Sequence, residues 1–193
     1  MPNKFEVFWG EISPCEHLVQ IYDQEDAFMD SLEGFVSGGI RKGDGVVVIA
    51  LPKHLENLEA RLRSASVDLR LARLTDQYIP VNAEAALKKF LVNGWPDENR
   101  FTQFVTSLIT RAAGNGRRVR AFGEMVAVMW EQGHQGATVR LEHLWHQFCH
   151  RETFSLFCAY PKSGFTEEAS ASIKQICAAH SKVVAADGCG LAE

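Results

Sequence analysis

The sequence has no apolar run approaching the ~18–20 residues that a membrane-spanning helix needs, so no membrane role is expected. Nor is there a basic excess: 20 Lys and Arg stand against 24 Asp and Glu, a net charge of −4. A dedicated nucleic-acid binder shows the opposite balance, and no direct nucleic-acid contact is expected. Met1-Pro2-Asn3-Lys4-Phe5-Glu6 lacks the basic segment and apolar stretch of an export signal. Cysteine is sparse, odd in number and irregularly spaced (Cys15, Cys149, Cys158, Cys177, Cys189), which suits a reduced cytoplasmic protein better than a disulfide framework.

What is present is an ordinary globular balance, 46% hydrophobic and 23% charged over 193 residues. A chain of this length buries about 70% of its unfolded surface, enough for a core without staples. Val46-Val47-Val48-Ile49-Ala50 is β-branched and apolar on both faces, as in a strand covered by helices on each side. Similar runs occur at His17–Tyr22, Arg118–Phe122 and Thr153–Tyr160, with a shorter extended stretch expected around Leu71–Leu74. Between them lie helical periodicities. One is expected to be capped by Asp23 and stopped by Gly38-Gly39; another opens at Pro52; two more are capped by Asn82 and Asp97. Two further helices are expected at about 124–132 and 137–149, and a last one carries Ile173, Ile176 and Cys177. Strand–helix alternation of this kind predicts a three-layer α/β domain with a mostly parallel central sheet. One domain is expected over 1–185, with a short flexible tail at 186–193.

A P-loop is missing. Gly38-Gly39-Ile40-Arg41-Lys42-Gly43-Asp44-Gly45 has its glycine spacing, but Asp44 stands where Lys must neutralise phosphate, and the segment precedes a strand. After the first strand, where the loop belongs, stand Asp23, Gln24, Glu25 and Asp26. Ligands of α/β sheets bind beyond the carboxyl ends of the strands. Those positions hold Tyr22-Asp23, Leu51-Pro52-Lys53-His54, Gly123-Glu124-Met125 and Tyr160-Pro161. Glu124, before an apolar helix, reads equally as a buried functional carboxylate or as an acidic residue favoured by a helix N-terminus.

Glu142-His143-Leu144-Trp145-His146-Gln147-Phe148-Cys149-His150 offers His143, His146, Cys149 and His150 as zinc or haem ligands. There is no H-E-x-x-H, and Leu141, Leu144, Trp145 and Phe148 already form the core stripe, so solvated histidines are the better reading and no cofactor is expected. A Cys–His nucleophile pair, Cys158 or Cys177 with His180, has no support beyond the residue types. Arg118 and Arg120 share one face of their strand and read as its solvated start.

Several blocks in order resemble one family. They are His17-Leu18-Val19-Gln20-Ile21-Tyr22; Gly39-Ile40-Arg41-Lys42-Gly43-Asp44; Ala121-Phe122-Gly123-Glu124-Met125-Val126 with Trp130; Leu141-Glu142-His143-Leu144-Trp145; Phe154 through Pro161; and Ile176-Cys177-Ala178-Ala179-His180-Ser181. This pattern, over roughly 15–185, is similar to the MEDS domain, a sensory domain of methanogens, methylotrophs and the dichloromethane-responsive regulator. The resemblance implies a RecA/KaiC-like fold without the phosphate loop. It also implies non-enzymatic sensing of a small molecule, hydrocarbon derivatives being suggested, with the signal passed to attached or partner modules such as histidine kinases and transcription regulators; here output to a separate signalling protein is expected, the alternative being that the chain is a fragment. On matching positions it marks His17, Tyr22, Glu124, Glu142, Cys158, Tyr160 and His180 as ligand-binding or site-shaping. The family pattern has Asn where His146 stands, which draws interest to a local change of ligand. Rival readings are a metal- or nucleotide-dependent enzyme and a purely protein-binding scaffold; a homodimer is compatible with each.

Overall fold

The structure, a computed structural model, describes residues 12, 15–164, 180 and 182–184, with the backbone alone at 164 and 182–184. The helix expected around Ile173 and Cys177 and the tail at 186–193 lie outside the described residues.

The elements run β1 (His17–Tyr22), α1 (Glu25–Arg41), β2 (Gly45–Ala50), α2 (Pro52–Ser64), α3 (Leu69–Leu74), β3 (Tyr78–Asn82), α4 (Ala83–Phe90), β4 (Leu91–Val92), β5 (Trp95–Pro96), α5 (Glu98–Ala112), β6 (Val119–Gly123), α6 (Met125–Glu131), α7 (Gln135–Arg151), β7 (Phe154–Pro161) and β8 (Lys182–Val184). Six strands form one sheet in the order β3-β2-β6-β7-β1-β8, and every pairing in it is parallel. The α/β architecture is the one the strand–helix alternation predicts. β4 and β5 make a separate antiparallel pair around Gly94.

Side chains alternate across the sheet because successive Cβ atoms point to opposite faces. Val46, Val48 and Ala50 join Leu18, Tyr22, Phe28, Phe35, Phe122 and Phe157 in one core, beneath α1 to α3. Val47 and Ile49 join Val19, Ala121, Leu156, Cys158 and Tyr160 in the other, beneath α4 to α7. This double burial is why β2 reads as an unbroken apolar run.

Three local expectations are corrected. The extended stretch placed at Leu71–Leu74 is helix α3, capped by Asp68, which accepts a bond from the Leu71 N–H at 2.9 Å; the strand comes one turn later, at Tyr78–Asn82. Asp23 is not the cap of α1; Gln24 occupies that position without a side-chain bond, and Asp23 pairs with Lys162 at 3.2 Å. Gly38-Gly39 do not stop α1, which runs on to Arg41. A Cβ on Gly39 would lie 2.9 Å from Val46 Cγ2 and 3.0 Å from Arg120 Cδ, so glycine serves close helix–sheet packing here. Asn82 and Asp97 do cap α4 and α5, and Pro52 opens α2.

A fourth correction concerns Arg120. It is 3% exposed, not solvated, and its Nε lies 2.7 Å from Asp44 Oδ2. Arg118, more than half exposed, reaches the other Asp44 oxygen at 3.3 Å. Asp44, the residue that spoils the P-loop match, therefore neutralises a buried guanidinium and pins the start of β2 to β6. Removing one partner of a buried pair strands the other charge, at a cost of about 3–5 kcal/mol. Asp44→Ala is accordingly expected to lower unfolding free energy in urea by that amount. Arg118→Ala should cost less than about 1 kcal/mol, as for an exposed pair; equal losses would contradict this division.

Candidate functional site

The crossover leaving β2 turns toward β3, while that leaving β6 turns toward β7, so the chain paths diverge between these adjacent strands. Such a switch point is where open α/β sheets bind ligands. Glu124 sits there, following β6 and 4% exposed. Its N–H donates to the Ile49 carbonyl at 2.9 Å. Its Oε2 accepts from the Leu51 N–H at 2.8 Å, and its Oε1 lies 2.6 Å from His54 Nδ1. Glu124 stands at the N-cap position of α6, where the helix dipole favours an acidic residue, but its carboxylate makes no capping bond and reaches instead to Leu51 and His54. His54 Nε2 lies 3.2 Å from Glu25 Oε1, and Glu25 also meets Lys53 at 3.4 Å. A polar chain thus leads from the buried Glu124 through His54 to a half-exposed carboxylate on α1. Lys53 and His54 hold the Glu25 carboxyl below its usual value, against the desolvation that opposes them.

Tyr22 closes the same region, stacked on Phe28 with ring centroids 4.7 Å apart, while His54 meets Phe28 edge-on at 5.2 Å. Burial first, then the charge of Glu124, pushes the Tyr22 phenol well above its ordinary value.

A second polar cluster lies on the other face of the sheet. His17 opens β1, Cys158 and Tyr160 come from β7, Glu142 from α7, and His180 precedes β8. One donor atom from each of His17, Glu142, Cys158 and His180 lies within 4.8 Å of every other. Cys158 Sγ is 3.6 Å from His17 Nε2, and His180 Nε2 is 3.8 Å from Glu142 Oε2. The two imidazole centroids are 3.9 Å apart. The Tyr160 hydroxyl donates to Glu142 Oε1. Burial, reinforced by Glu142, pushes the Cys158 thiol well up, so it is a neutral thiol at physiological pH.

The model of the MEDS family, the methanogen/methylotroph, DcmR sensory domain, matches residues 16–181. The chain belongs to the MEDS family. No curated protein matches this MEDS chain. A solved structure from Pyrococcus horikoshii OT3 is similar to it at 12% identity and TM-score 0.58, over 97% of this chain and 89% of that one. At that identity the likeness speaks to the α/β fold alone.

The seven positions marked in this MEDS chain therefore divide. His17, Glu142, Cys158, Tyr160 and His180 meet beneath α7; Tyr22 and Glu124 lie beneath α1 and α2. The pleat accounts for it: Ile21, not Tyr22, is the register partner of Tyr160, so the two phenols face opposite ways. His143, His146 and His150 are exposed on α7 with Cys149 buried behind them, and only His146 and His150 meet, at 3.1 Å. His54 and Glu25 complete the switch-point chain; the place of His54 just past β2 is the signal that points to it.

Because Cys149, Cys158, Tyr22 and Tyr78 all resist ionisation in the MEDS fold, the unfolded chain loses protons first as pH rises. Their contribution is whole below the unfolded values, about 8.5 for cysteine and 10 for tyrosine, and is lost above them. Unfolding free energy is expected to decline from about pH 8.5 and more steeply above about 10, each group adding up to about 1.4 kcal/mol per pH unit. Urea titrations in chelator between pH 7.5 and 10.5 check this, and Cys149→Ala should flatten the first part of the slope.

Proposed function

We propose that this MEDS domain is a non-enzymatic sensor that admits a small molecule, of the hydrocarbon-derivative class, at the switch point held by Glu124, His54 and Tyr22. The supporting observation is the placement of the Glu124–His54 pair at the switch point between β2 and β6. A fold that has no use for such a pair would leave the position apolar, since burying a carboxylate is costly even when it is hydrogen-bonded. The pair has one end in the core and the other on α1 through Glu25, so a ligand that breaks the His54–Glu124 contact alters how α2 is held against the sheet. A ligand shifts such a balance only by its differential affinity for the two arrangements. The RecA/KaiC-like reading is supported by this carboxyl-edge placement, with acidic Asp23, Glu25 and Asp26 where a phosphate cradle would stand. The output is proposed to pass to a separate histidine kinase or transcription regulator.

The test is thermal unfolding with one-carbon probes (methanol, methylamine and dichloromethane). Stabilisation by RT ln(1 + [L]/Kd) raises Tm by a few degrees once a probe reaches about 100 times its Kd. At least one probe is expected to do so and to be recovered chemically unchanged. Glu124→Gln, with its fold verified by circular dichroism, should lose the response. No shift with any probe, or the same shift in Glu124→Gln, would count against the assignment; conversion of the probe would point to an enzyme.

A further inference from the structure

The buried cluster beneath α7 is separate from the switch point, and its donor set has a chemistry of its own. We infer that His17, Glu142, Cys158 and His180 form a four-coordinate site for a divalent transition-metal ion of the zinc type.

Geometry carries the inference. Bonds of about 2.0–2.1 Å to nitrogen or oxygen and 2.3 Å to sulfur, arranged tetrahedrally, set donor–donor edges of about 3.4–3.6 Å. The Cys158–His17 edge is 3.6 Å and the His180–Glu142 edge 3.8 Å. The four donor atoms come within 4.8 Å of one another, so a small inward adjustment suffices. The donors arrive from four separate parts of the chain, β1, α7, β7 and His180, two residues ahead of β8. A nearest-neighbour accident on one helix does not explain their convergence.

Charge is consistent with it. Two neutral imidazoles, a thiolate and a carboxylate carry −2, which a divalent cation cancels, leaving a neutral unit that can be buried. On binding, the Cys158 Sγ–H bond breaks, the proton goes to solvent, and the sulfur lone pair forms the bond to the metal, with no change of oxidation state. A mixed nitrogen, sulfur and oxygen set favours a zinc-type ion over magnesium or calcium, which prefer all-oxygen shells. Tyr160 supplies the supporting contact: its hydroxyl holds Glu142 Oε1 and leaves Oε2 facing His180, the kind of outer contact that orients metal-bound carboxylates. An ion there would tie the segment ahead of the edge strand β8 to β1, β7 and α7. The exposed His146–His150 pair on α7 lies outside this set.

The full chain, stripped with chelator and checked by circular dichroism, is titrated with Zn²⁺ against a chromophoric competitor and separately with Co²⁺. One equivalent is expected, and Co²⁺ should give the intense visible bands of four-coordination with a thiolate-to-cobalt charge-transfer band. Cys158→Ser should abolish that band and weaken Zn²⁺ binding by more than about 100-fold, whereas Tyr160→Phe should keep the stoichiometry at a loss on the order of 10-fold. His146→Ala should change nothing. Absence of stoichiometric binding by the folded wild-type chain would overturn the inference. So would a weak six-coordinate cobalt spectrum indifferent to Cys158→Ser, or loss of binding in His146→Ala. None of these readouts depends on Glu124 or on the one-carbon probes, so this site and the proposed sensing site stand or fall separately.

Discussion

The parallel register between β1 and β7 governs where the polar side chains of these two strands end up. His17 pairs with Leu156, Val19 with Cys158 and Ile21 with Tyr160. With a side-chain period of two, that register sends His17, Cys158 and Tyr160 to the α7 face and Tyr22 to the α1 face. A slip of one residue in β1 would carry His17 away from Cys158 and place Leu18 and Tyr22 on the wrong core. Register here is enforced by burial on both faces, because neither side of the sheet is available to a misplaced polar residue.

Among the described residues, two groups of buried charge join β2 to β6. Asp44 and Arg120 join the starts of β2 and β6, and Glu124 joins their ends through Leu51 and His54. The two junctions differ in connectivity. The first ties strand to strand, receives Arg118 from the surface, and reaches α1 through the Phe35 carbonyl and ring. The second leads through His54 into helices α1 and α2, so what it holds is the packing of helices on the sheet.

The layers of the fold were legible because β2 is apolar on both faces, β6 and β7 are largely so, and the helices between them carry clean periodicity and, at Asn82 and Asp97, ordinary caps. α3 was not, because Leu69-Arg70-Leu71-Ala72-Arg73-Leu74 alternates like a strand; the Asp68 cap and its place one turn before Tyr78 decide for helix. Gly38-Gly39 read as a stop because composition cannot reveal that Val46 and Arg120 press on that face of α1. Within the site, residue types were legible and grouping was not. Placing Tyr22 with Tyr160 needs strand order and register, neither of which follows from a single sequence. The pairing of Glu124 with His54 is likewise tertiary, seventy residues apart along the chain and visible only once β2 and β6 lie side by side.

The two polar groups are close in the chain's own connectivity although they face apart. Gly123 is the register partner of Cys158, and Glu124 is its covalent neighbour. A Cβ at Gly123 would meet the Trp145 indole at 3.6 Å, which brings α7 down onto this same step of the sheet. The central strands are bonded on both sides and form the stationary part of the molecule. Two attachments to this framework are made by side chains: His54 of α2 to Glu124, and His180 to Glu142. Coupling across a sheet requires such discrete attachments, because a continuously bonded ladder has only one arrangement to offer. Under the proposed sensing function, occupancy would be reported by releasing or seating a helix against a sheet that stays as it is.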